Sequence, residues 1–225
     1  MRCLTDSWRA GQRADSLLVL LPPAKASLED MLAQGMVAAV RARGLPLDIV
    51  LADVGYQQVL AGTVAQCLHQ AVLTPAIGQG YRSIWLAGIS LGAFNALHYA
   101  AVYAEHLSGI FLLAPYPGTA DILQEIRQAG GPQAWADASP GLQDERRWWH
   151  WLARQQETTR CPVWLSLADD DRFVAGQQLL ASLLPAAQVH RMAGDHSWPV
   201  WQQQWQHWLE HGPLAQYVPG QKDET

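Results

Sequence analysis

Residues 88–92 read Gly-Ile-Ser-Leu-Gly, which matches the pattern G-x-S-x-G around a serine that could act as a nucleophile. An apolar stretch at 84–87 comes directly before the motif, and apolar residues with helical spacing follow it. The motif therefore lies where a strand turns sharply into a helix. The strained backbone of such a turn brings neighbouring chain segments too close for a side chain at the flanking glycines. The chemistry that this pattern predicts is nucleophilic attack by Ser90.

Short apolar runs bounded by turn residues predict the strands that must position Ser90. Near-continuous apolar character is typical of strands that are covered on both faces. Six strands are expected, at residues 17–21, 47–51, 83–87, 109–113, 162–167 and 188–192. Helical periodicity lies between or after them, at residues 27–44, 59–73, 91–105, 174–184 and 198–211. Strands that alternate with helices of this length predict an α/β fold with a mostly parallel sheet and helices on both faces.

With a strand before the motif at 88–92, a sharp turn at Ser90 and a helix after it, the chain resembles an α/β-hydrolase. The resemblance spans about residues 17–209. It implies a nucleophile, an acid and a histidine in that order, each on a loop at the C-terminal end of a strand. Families of this fold often carry the acid three residues before a valine, which here selects Asp171 before Val174. A turn of small residues with Asp-His after the last predicted strand is similar to the family's histidine loop and selects His196.

The resemblance gives each of these residues a role. His196 would take the proton of Ser90 as a general base, and Asp171 would accept a hydrogen bond from the imidazole and fix its tautomer. Two alternatives stay open, namely Asp170 as the acid and His190 as the base. A histidine inside a short strand is more often a packed residue, so the pair His196 and Asp171 is favoured.

Backbone N–H groups must stabilise the oxyanion that forms on attack. One donor would be the N–H of Leu91, which opens the helix after the nucleophile, and the other should come from the loop after the first predicted strand. Many members of the family have His-Gly in this loop, whereas this chain has Pro22-Pro23, and proline has no N–H. The resemblance therefore implies an oxyanion hole of Leu91 and Ala24, whose competence the two prolines leave open.

Residues 116–160 lie where the family carries a cap, between the strand after the nucleophile helix and the strand before the acid. The segment contains two helical pieces, at 121–128 and 142–156, with the breaker Gly-Gly-Pro between them. A cap in this place typically shapes the acyl or alcohol pocket. Trp148 and Trp149 are therefore candidate substrate-binding residues.

We expect residues 1–225 to form a single domain with a small helical cap and a flexible tail at 212–225. Only 16 residues precede the first predicted strand, so the leading antiparallel strands of larger family members are expected to be missing. Four tryptophans of the last helix recur on one helix face and predict packing against the sheet. They are Trp198, Trp201, Trp205 and Trp208.

The last helix also contains His-Trp-Leu-Glu-His at 207–211, which matches the inverted zinc-protease signature H-x-x-E-H. Such a site needs a third protein ligand, usually a carboxylate well downstream. Only 14 residues follow His211, and Glu224 in the expected tail is a poor candidate. We therefore expect no metal site and no cofactor, and interpret both histidines as surface residues.

Composition narrows the class of partner. The chain carries 15 Lys and Arg against 20 Asp and Glu, and 49% of its residues are hydrophobic, which excludes intrinsic disorder. It has no block of basic residues, so nucleic acid is a poor candidate partner.

The longest aliphatic run, at 17–21, is far shorter than the roughly 20 residues that span a bilayer, and no signal-peptide pattern follows it. Three scattered cysteines argue against a disulfide framework, so the cytoplasm is the simplest compartment.

These observations favour a serine hydrolase of carboxylesterase type that cleaves a small-molecule carboxylic ester or thioester through an acyl-enzyme. A homodimer stays open. The alternative is a catalytically weak, hydrolase-like protein that binds a small molecule, and the loop Pro22-Pro23 motivates it.

Overall fold

The fold is built on one seven-stranded sheet. The structure, a computed structural model, describes residues 1–138, 143–155 and 161–217. The strands are β1 (Cys3–Asp6), β2 (Ser16–Leu21), β3 (Leu47–Ala52), β4 (Ser83–Ile89), β5 (Gly109–Leu113), β6 (Val163–Ala168) and β7 (Val189–Met192). They lie in the order β1-β3-β2-β4-β5-β6-β7, and all neighbours are parallel except β1 and β3. The α/β class and the mostly parallel sheet are confirmed.

The six predicted strands are present to within two residues at each end. Strands β2 and β5 are buried along their whole length, and β4 is buried except at its first residue. This burial explains their continuous apolar runs, because side chains that point to either face enter a core.

The prediction that leading antiparallel strands are missing was wrong. Strand β1 pairs antiparallel with β3 at the sheet edge, from Cys3 opposite Ala52 to Asp6 opposite Ile49. It is only four residues long and partly polar, and it forms the edge of the sheet next to β3. A short edge strand of this kind lacks the continuous apolar run by which the other strands are predicted.

Helices cover both faces of the sheet. They are α1 (Leu28–Ala33), α2 (Met36–Ala42), α3 (Tyr56–Leu60), α4 (Val64–Leu68), α5 (Thr74–Gln79), α6 (Leu91–Tyr103), α7 (Ala120–Gln128), α8 (Pro132–Asp137), α9 (Arg146–Arg154), α10 (Val174–Ala181) and α11 (Trp198–His211). Buried side chains of α1, α2 and α11 form one core with the sheet, and those of α4 to α10 form the other. None of the described helices is long and apolar enough to cross a membrane.

Two predicted helices are interrupted. The first begins with a capping box, in which Ser27 and Asp30 bond each other's backbone N–H groups, but it ends before Gly35. Gly35 has φ 76°, a left-handed conformation that separates α1 from α2. The segment predicted as one helix at 59–73 forms α3, α4 and a π-helical turn at His69–Leu73 that continues into α5.

The insertion at 116–160 shares the core of α6. Helices α7, α8 and α9 bury Ile122, Ile126, Trp135 and Leu152 in the same apolar cluster as the sheet. Helix α8 was not predicted, because it is a short helix of six residues that starts at Pro132 directly after two glycines. The predicted helical piece at 142–156 falls partly outside the described residues, which contain α9 at Arg146–Arg154.

Helix α11 has the predicted bounds, and its tryptophan stripe packs on the sheet. Trp201, Trp205 and Trp208 are buried, and the indole N–H of Trp205 donates to the carbonyl oxygen of Met36 at 3.0 Å. The first residues of the expected flexible tail at 212–225 are ordered: Pro213–Gln216 form a 3-10 turn in which Leu214 is fully buried. Residues 218–225 lie outside the described residues.

Two glycines allow helix α6 to lie against the strands that precede it. A Cβ at Gly92 would lie 2.3 Å from the carbonyl oxygen of Leu21 and 2.7 Å from that of Pro22. A Cβ at Gly88 would lie 2.3 Å from the backbone of Gly92. Real Cβ contacts are longer than this, so the start of α6 can approach the end of β2 only with glycine at both positions.

We expect Gly92→Ala to lower the free energy of unfolding by about 1–3 kcal/mol, because the added methyl group must push α6 away from Leu21. The matched control is Gly78→Ala in α5, where a Cβ would meet no atom within 4 Å. There the free energy of unfolding should rise by about 0.4–1 kcal/mol, since alanine restricts the unfolded chain and favours the helix. Urea denaturation of the two variants measures both changes, and a shift of the same sign in both would contradict this account.

Candidate active site

The backbone of Ser90 is strained and held from several sides. Its φ of 52° and ψ of −110° lie outside the regions that non-glycine residues favour. The N–H of Ser90 donates to the carbonyl oxygen of Leu113 at 2.9 Å, and the carbonyl oxygen of Ser90 accepts from the N–H groups of Tyr116 and Phe94 at 3.1 Å. These bonds to β5, to the following loop and to α6 fix the serine in a conformation that it would not keep alone.

His196 lies between Ser90 and Asp171. Its Nε2 is 2.8 Å from Ser90 Oγ, and its Nδ1 is 2.7 Å from Asp171 Oδ2. An ionised carboxylate can only accept, so the proton of the neutral imidazole lies on Nδ1 and Nε2 can accept the proton of the serine hydroxyl. The His196 side chain is 7% exposed, and the rings of Phe173 and Trp201 meet it edge-on at 5.1 and 5.0 Å. The imidazole is therefore held in one orientation.

Asp171 is a buried carboxylate with several donors. Its Oδ1 accepts from the N–H of Phe173 at 2.8 Å, and its Oδ2 accepts from Gln177 Nε2 at 3.0 Å as well as from His196. Burial by itself would raise the pKa of Asp171, but the hydrogen bonds from His196, Phe173 and Gln177 outweigh it and hold that pKa below its ordinary value. The carboxylate therefore stays ionised beside the imidazole.

Two backbone hydrogen bonds join the loop that carries Asp171 to the loop that carries His196. The N–H of Asp169 donates to the carbonyl oxygen of Met192 at 3.0 Å, and the N–H of Asp170 donates to that of Gly194 at 2.9 Å. The side chain of Asp170, the alternative acid, is exposed, and that of Asp169 bonds Arg191 on β7. Asp171 is the acid of this loop whose carboxylate reaches His196.

The alternative base lies elsewhere. His190 is on β7, and its ring stacks on that of His207 with centroids 3.5 Å apart. Burial, together with His207 and His211, lowers the pKa of His190 to about 4. In the H-x-x-E-H segment the carboxylate of Glu210 pairs with Arg43.

The two backbone amides expected to hold an oxyanion lie on neighbouring segments. Leu91 opens α6, whose start packs against the end of β2 and Pro22 through Gly92. Within the described part of the chain, the N–H groups of Leu91 and Ala24 have no backbone acceptor. Pro22 and Pro23 are buried, whereas Ala24 is exposed. Leu91 lies in the first turn of α6, where backbone N–H groups usually lack an intrahelical acceptor, and Ala24 lies in the turn that follows β2.

Trp148 and Trp149, the candidate substrate-binding residues, are fully buried. Their rings stack with centroids 4.8 Å apart, and the indole N–H of Trp149 donates to the carbonyl oxygen of Pro117 at 3.1 Å. The prediction of a direct substrate contact is not supported, because neither side chain is open to solvent. The insertion buries more apolar side chains than its sequence indicated, and both tryptophans belong to its apolar core.

Sequence reasoning missed three residues around His196. Gln177 bonds the acid from one turn inside α10, and Phe173 and Trp201 enclose the imidazole. Trp201 belongs to the tryptophan stripe that was predicted for α11, but its contact with the ring of His196 was not predicted. Gln177 carries no motif, and its only signal in the sequence is its place six residues after Asp171.

Comparisons with known proteins give the family of the chain. The family model "Esterase", described as "Putative esterase", matches residues 54–210. No curated protein matches the sequence significantly.

Solved structures share the fold at low sequence identity. A mutant feruloyl esterase module from Clostridium thermocellum, complexed with sinapinate, is 11% identical with a TM-score of 0.64, over 96% of this chain and 87% of that one. Est1E from Butyrivibrio proteoclasticus is 13% identical with a TM-score of 0.61, over 92% of both chains. The S-formylglutathione hydrolase FrmB from Staphylococcus aureus is 11% identical with a TM-score of 0.59, over 94% and 85%.

The match at 54–210 begins just before α3 and ends within α11, so it includes the motif at 88–92, the insertion, Asp171 and His196. It covers well over half of the sequence. The chain therefore belongs to this family of esterases of the α/β-hydrolase fold, and it is an ester-hydrolysing enzyme.

Proposed function

We propose that the enzyme cleaves a carboxylic ester or thioester through an acyl-enzyme intermediate, with Ser90 as the nucleophile. The observation that carries this proposal is the hydrogen-bonded line from Asp171 Oδ2 through the imidazole of His196 to Ser90 Oγ, with distances of 2.7 and 2.8 Å. A serine hydroxyl needs a base within hydrogen-bond reach, and that base needs a group that orients it.

In the first half of the reaction, His196 Nε2 takes the proton of Ser90 while Oγ attacks the carbonyl carbon. The carbonyl π electrons move onto oxygen, and Asp171 stabilises the imidazolium that forms. When the tetrahedral intermediate collapses, the bond to the leaving alcohol or thiol breaks and His196 returns the proton to it. Water then attacks the acyl-enzyme by the same route, releases the acid and restores the Ser90 hydroxyl.

The developing oxyanion would accept hydrogen bonds from the N–H groups of Leu91 and Ala24. The positive end of the α6 dipole favours negative charge at the same place. Pro22 and Pro23 offer no N–H, but their fixed φ limits the freedom of the loop that presents Ala24. Two donors held in place before the reaction are the arrangement that stabilises an oxyanion best.

We expect the wild-type protein to bind one fluorophosphonate per chain, and Ser90→Ala to bind none, because Ser90 Oγ has the base His196 within hydrogen-bond reach. Intact mass measures this stoichiometry, and hydrolysis of a small ester such as p-nitrophenyl acetate should fall by about 10³-fold or more in the same variant. The control is Ser182→Ala on the exposed end of α10, which should keep full labelling. A folded wild-type protein without labelling would instead favour the hydrolase-like binding protein.

Ala24→Pro removes one proposed oxyanion donor, and we expect kcat to fall by about 10²–10³-fold, the usual effect of losing one such hydrogen bond. Ala24→Ser keeps the N–H and should stay within about threefold of wild type. Stopped assays with p-nitrophenyl acetate measure both variants, and the free energy of unfolding checks that each is folded. Equal activity of the proline and serine variants would exclude Ala24 as a donor.

Asp171→Asn should lower kcat by about 10³–10⁴-fold, because a neutral amide does not stabilise the imidazolium and its NH2 group can donate to Nδ1 and favour the wrong tautomer. The neighbouring Asp170→Asn is the matched control and should leave kcat nearly unchanged, since Asp170 is exposed. A loss of activity in Asp170→Asn with none in Asp171→Asn would reverse the assignment of the acid.

The same pair of variants tests the electrostatics of the fold. The folded protein lowers the pKa of Asp171, so the folded state binds this proton less tightly than the unfolded chain. Its ionised form therefore stabilises the fold above about pH 3.9, the ordinary pKa of an aspartate, and that contribution is lost as the pH falls through the folded value. Between pH 6 and pH 3, the free energy of unfolding should fall more steeply for wild type and Asp170→Asn than for Asp171→Asn. Parallel curves would contradict a lowered pKa at Asp171.

A further inference from the structure

Gln177 carries a buried amide group that bonds two parts of the candidate active site. It lies in α10 and is fully buried. Its Nε2 donates to Asp171 Oδ2 at 3.0 Å and to the carbonyl oxygen of Pro115 at 3.1 Å. Because both partners can only accept, the nitrogen of the amide must face them, and each of its two hydrogens can serve one partner. The side chain therefore joins the acid loop to the loop that follows β5.

The carbonyl group that accepts from Gln177 belongs to the same peptide group that bonds Ser90. This peptide group joins Pro115 to Tyr116, and its N–H donates to the carbonyl oxygen of Ser90 at 3.1 Å. The C=O and N–H of a trans peptide point in opposite directions, so the group has Gln177 on one side and Ser90 on the other. Hydrogen bonds in such a buried chain polarise and strengthen one another. The acid and Ser90 are thus connected by a hydrogen-bonded route that does not pass through the imidazole.

The loop after β5 has a strained backbone that depends on its partners. Ala114 has φ 45°, in the left-handed region that non-glycine residues rarely adopt, and it is fully buried. Its N–H donates to the carbonyl oxygen of Ser166 on β6 at 2.9 Å. Pro115 has no N–H, so its carbonyl oxygen is the backbone group through which a side chain can hold it. The bond from Gln177 therefore fixes the part of the loop that follows the strained residue.

A close approach of α10 brings Gln177 to this loop. A Cβ at Gly176 would lie 2.4 Å from Pro117 Cγ and 2.7 Å from Pro117 Cβ. A larger residue would push the start of α10 away from the loop after β5. The glycine beside Gln177 thus permits the short distance at which the amide reaches Pro115.

Packing alone does not account for an amide at this position. Gln177 Oε1 has no hydrogen-bond partner among the described residues, and a buried oxygen without a donor is costly. Methionine is similar in size and would fill the same space without this cost. The polar group is therefore explained by the two hydrogen bonds of its nitrogen.

We propose that Gln177 is a positioning residue, which fixes the acid Asp171 relative to the turn at Ser90 through the peptide group of Pro115 and Tyr116. This inference rests on the proposed function, because it gives Gln177 a part in the triad to which Asp171 and Ser90 are assigned. Gln177 acts through these groups and not on the substrate, so its loss should change kcat rather than KM.

Gln177→Met removes both hydrogen bonds and keeps the approximate size of the side chain. We expect kcat for p-nitrophenyl acetate to fall by about 10- to 100-fold, since small displacements of catalytic groups lower rates by this order. KM should stay within about twofold of wild type. The matched control is Leu180→Ala, which removes packing from the same helix at a fully buried position outside the hydrogen-bonded route. Its free energy of unfolding should fall, with kcat within about threefold of wild type.

The pH dependence of kcat/KM distinguishes positioning from packing. In Gln177→Met the carboxylate of Asp171 loses one donor, so it attracts the proton of the imidazole more strongly. The acidic limb of kcat/KM reports protonation of the proposed base and should move to higher pH by about 0.5 unit, whereas Leu180→Ala should leave it unchanged. The other charged residues of the two loops are the same in all three proteins, namely Asp169, Asp170, Arg172 and Asp195.

Gln177→Glu is a second variant, which decides the matter if Gln177→Met fails to fold. Its carboxyl group can donate to Asp171 only while it is protonated, because two ionised carboxylates side by side repel each other. Activity should therefore decline as the pH rises through the loss of this proton, in a range where wild type remains fully active. Identical pH profiles of Gln177→Glu and wild type would refute the bond between residue 177 and the acid.

Urea denaturation as a function of pH tests the same bond without turnover. The bond from Gln177 helps to hold the pKa of Asp171 below its ordinary value, and the stability that it contributes is lost as the pH falls through the folded value. Between pH 6 and pH 3, the free energy of unfolding should therefore fall less steeply for Gln177→Met than for wild type. Leu180→Ala should give a curve that lies lower than that of wild type and runs parallel to it.

These measurements separate the two proposals. A less steep curve for Gln177→Met, together with a folded wild type that hydrolyses no ester, would contradict the proposed function and leave the bond to Asp171 in place. An active wild type whose kcat and acidic limb are unchanged in Gln177→Met would overturn the role of Gln177 alone. A fall in kcat without a shift of the acidic limb would indicate lost packing and would overturn that role as well.

Discussion

The left-handed backbone of Ser90 is the constraint on which the site depends. A non-glycine residue with positive φ costs on the order of 1–3 kcal/mol, and it persists only where the surroundings impose it. Here β5 accepts the N–H of Ser90, the loop after β5 and the next turn of α6 donate to its carbonyl oxygen, and Gly88 and Gly92 let the segments meet. The close approach at Gly92, which follows the strained turn at Ser90, also places the start of α6 beside Pro22. The proposed nucleophile and the proposed oxyanion donors are thus positioned by one packing arrangement.

The proposed base and the proposed acid depend on a second arrangement, near the β7 edge of the sheet. Strands β6 and β7 are adjacent and parallel, so the loops that follow them emerge side by side. Two backbone hydrogen bonds join these loops, and Asp171 and His196 then meet across a space that burial closes to water. Removing water strengthens the interaction between carboxylate and imidazole, while the donors from Phe173 and Gln177 offset the cost of burying the charge.

Periodicity and motif were sufficient to predict the parts of the fold that repeat a simple physical rule. Buried parallel strands must be apolar throughout, and the turn around Ser90 requires small neighbours, so both are visible in a single sequence. Helix α8 was missed because six residues are too few for a clear helical period, and the break at Gly35 was missed because a single glycine does not by itself end a helical pattern. Strand β1 was missed because its four residues owe their conformation to pairing with β3, which is distant in the chain. Trp148 and Trp149 were misjudged for the same reason: an aromatic residue in an insertion gives no sign of whether the insertion buries it.

The three residues of the proposed triad lie on elements that are held in different ways. Ser90 and Asp171 follow β4 and β6, which are covered by cores on both faces, whereas His196 follows the edge strand β7. The orientation of His196 therefore depends on the backbone hydrogen bonds between the acid loop and the histidine loop, and on the rings of Phe173 and Trp201 that enclose the imidazole. A few contacts in these loops thus position the proposed chemistry, while the sheet that carries the loops is shared by chains of very low identity.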